Sequence, residues 1–98
     1  MIKVLKNKKN ISITGHAMYD DYGKDIVCSA VSSIIITTIN GILAINNQAI
    51  TYENKTDGLE IEIKSFDNVT LKLIDNMIQL LTKLSQDYPK NLKVKEGM

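Results

Sequence analysis

An α+β fold is predicted for this chain: a single small domain in the order ββαββαβ, with two helices packed on a mostly antiparallel sheet. Three observations predict it. Two pairs of short, alternating apolar and polar segments read as strand hairpins, a long apolar stretch with helical spacing separates them, and an amphipathic stretch follows the second pair. Strand pairs separated by helices pack as an α+β sandwich. Residues 1–98 form one domain, because no repeat, low-complexity tract or proline-rich linker divides them.

Ile2 to Lys6, "IKVLK", alternates as a first strand, "NKKN" turns, and "ISITGH" alternates again as the second. Gly15 and Gly23 enclose a polar segment that reads as a loop. Asp25 is placed to cap a helix beginning near Ile26, in which Ile26, Val27, Ala30, Val31, Ile34, Ile35, Thr38, Ile39 and Ile42 recur at helical spacing. Its many β-branched residues favour a strand locally, but length and periodicity decide for helix. It is apolar on more than one face, so burial on two sides is expected, a subunit interface being one way to achieve it; Asn40-Gly41 is a point where it weakens or ends.

"QAITYE", the turn "KTDG" and "LEIEIKS" form the second hairpin, with Leu59, Ile61 and Ile63 on one face and Glu60, Glu62 and Lys64 on the other. Asp67 or Asn68 caps the second helix, whose stripe runs from Val69 to Leu84 and which Tyr88-Pro89 stops. "NLKVK" is a short last strand.

Composition narrows the function. Twelve basic and eleven acidic residues leave a net charge of +1, without the basic face a nucleic-acid reader needs. All twelve cations are lysine, so the bidentate phosphate reader is missing and no Cys-x₅-Arg phosphatase loop can exist. A single cysteine forms no internal disulfide. The longest apolar stretch is interrupted by Ser, Thr, Asn and Gly, and "MIKVLKNKKN" lacks a signal-peptide core. A cytoplasmic protein with no membrane partner and no direct nucleic-acid binding is expected.

His16 and Cys28 are the chain's only histidine and only cysteine. On the predicted scaffold His16 ends the second strand and Cys28 lies in the first turn of the long helix. A helix N-terminus and an adjacent imidazolium lower a thiol from its free pKa of about 8.5. Unpaired first-turn amides can stabilise an oxyanion, and the histidine can shuttle the proton. Asp25 is positioned to orient the histidine, and Ser32 lies one turn after Cys28 on the same helix face. Each residue also has a plainer reading: Cys28 as a small buried hydrophobe, His16 as a surface residue, Asp25 as a cap only, Gly15 and Gly23 as turn residues, Ser32 bonded back to a helix carbonyl. One His and one Cys supply two ligands where zinc wants three or four, so no metal site is expected.

"GHAMYDDYGKDIVCSAVS" resembles the signature of the bacterial ribosomal-processing cysteine proteases, the Prp family, whose members read Gly-His-Ala, a loop, then Gly-x-Asp-(Ile or Val)-Val-Cys-x-Ala-Val-Ser. The resemblance covers Gly15, His16, Ala17, Gly23, Asp25, Val27, Cys28, Ala30, Val31 and Ser32, and extends to chain length and element order. It implies a single cysteine protease domain over 1–98, with Cys28 as nucleophile, His16 as general base, Asp25 and Ser32 in support, and Gly15 and Gly23 shaping a mobile loop over the cleft. It further implies no metal or organic cofactor, a homodimer, and as substrate the N-terminal extension of a large-subunit ribosomal protein, the twenty-seventh. Met18 departs from the family, where a further glycine is common; it stiffens the loop or lines an apolar subsite. Ser29 replaces a commoner alanine. Tyr19 and Tyr22 are expected either to line the substrate groove, with Ala17 and Met18, or to pack the loop. The competing function is a non-catalytic homodimeric module that binds a ribosomal protein or assembly intermediate.

Overall fold

Asn7 builds the first turn: its side-chain oxygen accepts from the Asn10 N–H at 2.8 Å, and its own N–H donates to the Asn10 carbonyl at 2.9 Å. The turn joins β1 (Ile2–Lys6) to β2 (Asn10–Thr14) antiparallel, with Val4 opposite Ile13. The computed structural model describes residues 1–15 and 22–97, residues 22–25 as backbone alone. β2 ends at Thr14, two residues before the expected His16, and Gly15 follows at a φ of +88°.

The first helix, α1 (Tyr22–Ile45), begins four residues earlier than expected. Asp25 is therefore its fourth residue and not its N-cap, Gly23 is helical and not a turn residue, and the expected 15–24 loop gives up residues 22–24 to the helix. The helix also passes through Asn40-Gly41 without ending. Glycine costs a helix interior about 1 kcal/mol, which argues locally against both places. The buried stripe of Val27, Val31, Ile35, Ile39 and Ile42 outweighs it, because packing of an apolar face decides helicity more than propensity does.

The segment Ile26–Ile45, with a mean hydropathy of 2.0, is long and apolar enough by composition to cross a membrane, yet its buried stripe forms one wall of the core. Among the described residues of the single chain, one side of α1 is covered by the core, while Ile26 and Ile36 are 59% and 55% exposed.

β3 (Ile50–Lys55) and β4 (Gly58–Ile63) pair antiparallel, Tyr52 opposite Ile61, as the second hairpin. Asp67 caps α2 (Asn68–Asp87), accepting from the Thr70 N–H at 2.8 Å, while Ser65 and Thr70 hydroxyls donate to its other oxygen. These bonds to the ionised carboxylate, Ser65 first, hold the Asp67 pKa below its ordinary value. Thr70, Ile74, Met77, Ile78 and Leu81 are the buried stripe of α2, and the Tyr88 N–H closes its end on the Leu84 carbonyl at 3.0 Å.

The chain then crosses to β5 (Leu92–Glu96), parallel to β1 with Leu92 opposite Ile2. Among the described residues five strands lie in the order β3-β4-β2-β1-β5, with β1–β5 parallel and the other pairs antiparallel, so the sheet is mostly antiparallel as expected. Ile2, Val4, Ile11, Ile13, Ile61, Ile63 and Leu92 turn inward against both helices, and Lys3, Glu62, Lys93 and Lys95 are exposed between them along the strands.

Candidate active site

Cys28 is the seventh residue of α1, one turn later than expected. The unpaired amides of the helix start belong to residues 22–25, so the expected first-turn oxyanion donors do not include the Cys28 amide. Its thiol is free and half-buried, packed against the core on one side and open to a cleft on the other.

That cleft, of about 210 Å³, has three walls. α1 supplies Cys28, Ser32 and Ile36, set four residues apart on one flank of the helix. The end of β2 supplies Ile13 and Gly15, and the β3–β4 hairpin supplies Asn54, Gly58 and Leu59. Ser32 thus stands beside Cys28 as expected from their spacing, exposed at the cleft's rim. Nothing in the sequence points to the hairpin wall. Residues 54–59 are distant from Cys28 in sequence, and "KTDG" carries only a turn signal; no local pattern announces that the turn stands over the helix.

Two glycines let the walls close. A Cβ at Gly58 would lie 1.9 Å from the Ile13 carbonyl oxygen, and one at Gly15 would lie 2.2 Å from the Met1 carbonyl oxygen. At Gly15 the positive φ also favours glycine. The Gly15 N–H donates to the Asp57 carbonyl at 2.9 Å, tying the exit of β2 to the hairpin turn.

His16, Ala17, Met18 and Tyr19 lie outside the described residues, as do the side chains of Tyr22 and Asp25. Gly23 is on α1, ahead of Cys28. What the structure brings together is Cys28, Ser32 and Gly15, the last being the residue bonded to His16. Among the described residues, no three His, Cys, Asp or Glu side chains cluster as metal ligands would. Among the described residues, Ser32 and Asn54 bring hydroxyl and amide groups to the cleft and can donate hydrogen bonds to a substrate carbonyl.

Comparison with known proteins shows the family to which the chain belongs. The sequence profile of the family described as "Cysteine protease Prp" matches residues 1–93. The chain is 32% identical to the ribosomal processing cysteine protease Prp of Mycoplasma pneumoniae, over 91% of this chain and 88% of that protein. It is 26% identical to the protein of the same name from Staphylococcus aureus, over 87% and 83% of the two. The crystal structure of S. aureus Prp with a covalently linked product peptide superposes with a TM-score of 0.86 at 19% identity, covering 99% of this chain and all of that one, and shares its fold.

Proposed function

The chain belongs to the cysteine protease Prp family, and from that premise we propose that it is a cytoplasmic endopeptidase that trims the N-terminal extension of a large-subunit ribosomal protein, the twenty-seventh, with Cys28 as nucleophile and His16 as its base. The observation that carries the reading is the cleft shared by Cys28 and Gly15: the thiol opens into it, and the residue bonded to His16 lines it.

In this mechanism His16 takes the Cys28 proton, and the thiolate sulfur attacks the carbonyl carbon of the scissile peptide bond. The tetrahedral oxyanion collapses, the C–N bond breaks, and His16 protonates the leaving amine. Water, deprotonated by His16, attacks the thioester; the carboxylic acid leaves and the thiol is restored. Ser32 supports the site from the next turn of α1, and Asp25 serves as a second supporting residue from within the helix. Ala17, Met18, Tyr19 and Tyr22 contribute to the substrate groove, and no metal or organic cofactor takes part. The protein acts as a homodimer, with Ile26, apolar and exposed on α1 outside the cleft, among the residues its partner covers.

Alkylation by iodoacetamide across pH tests the mechanism. An activated thiolate reacts well below pH 8, whereas an unassisted thiol follows a free pKa of about 8.5 and a buried one scarcely reacts. Reaction at Cys28 only above pH 8, or not at all, would favour the non-catalytic binding module instead.

A further inference from the structure

The cleft does not end at Ile36. A second hollow, of about 250 Å³, continues from it along the same flank of α1 and is lined by Ile36, Ile39, Asn40, Tyr52, Asn54 and Leu59. Ile36, Asn54 and Leu59 line both hollows, so they form one groove running from Cys28 down α1 on one side and along β3 on the other. Ile36 and the Tyr52 ring are each about half exposed here, apolar side chains facing each other across an open channel. Tyr52 is set opposite the buried Ile61 and therefore stands on the helix-facing side of the sheet, where an apolar residue is ordinarily covered.

The occupant follows from the wall. β3 is the end strand of the sheet, paired only with β4 among the described residues, so its other edge offers a row of backbone donors and acceptors to an extended chain. A peptide held with its scissile carbonyl at Cys28 and running along β3 enters the groove between Ile36 and Tyr52. Cys28 and Ile36 are eight residues apart on α1, about 12 Å at a rise of 1.5 Å per residue. An extended chain covers that distance in about three to four residues at roughly 3.3 Å each.

Resting on the protease reading above, we propose that the α1–β3 groove is a specificity site that takes an apolar side chain of the extended substrate, three or four residues from the scissile bond, between Ile36 and Tyr52.

The test uses peptides spanning the junction between the extension and the body of the ribosomal substrate, each with Leu or Ser placed singly at one of the first five positions on either side of the scissile bond. Wild type is expected to cleave the Leu peptide about tenfold faster in kcat/KM than its Ser counterpart at the third or fourth position on one side, the scale of an apolar contact in a pocket. In Ile36→Ser and Tyr52→Ser, both at exposed positions and checked for folding by circular dichroism, that ratio is expected to fall to within about twofold while ratios at the positions flanking the scissile bond persist. An unchanged ratio in both variants, or a wild-type preference confined to the two flanking positions, would overturn the groove assignment and leave the protease reading intact. Failure of wild type to cleave any peptide, or the ribosomal protein itself, would count against both.

Discussion

The backbone N–H of Gly15 donates to the carbonyl of Asp57 at 2.9 Å, joining the end of β2 to the turn of the β3–β4 hairpin. Through that bond the residue before His16 and the far wall of the Cys28 cleft are held as one piece, and Gly58 lets the hairpin approach β2 closely enough to make it.

Gly15→Ala and Gly58→Ala should therefore impair both folding and cleavage. Alanine at Gly15 must adopt a φ of +88° against the Met1 carbonyl, a strain of order 1–3 kcal/mol. At Gly58 the clash is with the Ile13 backbone, which cannot rotate away. Thermal melts should fall by several degrees for each, and a variant as stable as wild type would show that the close approach is not required.

Ser32→Ala should leave the fold unchanged, since Ser32 is exposed, while lowering kcat/KM for cleavage. A loss of about tenfold corresponds to roughly one hydrogen bond. Steady-state kinetics beside wild type measure it, and equal rates would remove Ser32 from the site.

Leu81 is fully buried on α2, so Leu81→Ala should cost about 2–5 kcal/mol, a large share of the about 5–15 kcal/mol that holds a domain together. Urea unfolding measures the change.

Asp67 gives a pH signature. Its bonds from Ser65 and Thr70 depress its folded pKa below 3.8, so its contribution to stability is complete above the unfolded value and is lost as pH falls through the folded one. Asn can also cap a helix, so Asp67→Asn should keep much of α2 while flattening the decline in thermal midpoint between about pH 5 and pH 2. An unaltered acid limb would mean that other carboxylates dominate it.

Much of this fold is legible in the sequence where signals are local. β1, the β3–β4 hairpin, the Asp67 cap and the Tyr88 stop each follow from a few adjacent residues whose backbone chemistry has one good solution. The start of α1 is less legible. Gly23 reads as a turn and Asp25 as a cap, and only burial of the stripe beyond them extends the helix backward to Tyr22 and carries it through Gly41. In the site, the i, i+4 spacing of Cys28 and Ser32 shows their shared flank directly. Asn54, Gly58 and Leu59 are invisible beforehand, because the antiparallel registers of β2 with β4 and of β4 with β3 bring them to the cleft, not anything in their own neighbourhood.

The most direct test of the central claim is incubation of the protein, wild type beside Cys28→Ala, with the N-terminally extended ribosomal protein, read by intact mass. If Cys28 is the nucleophile, wild type alone removes a short N-terminal peptide, the two proteins being equally folded by circular dichroism. Cleavage by Cys28→Ala, or none by folded wild type that still binds the ribosomal protein, would contradict the claim.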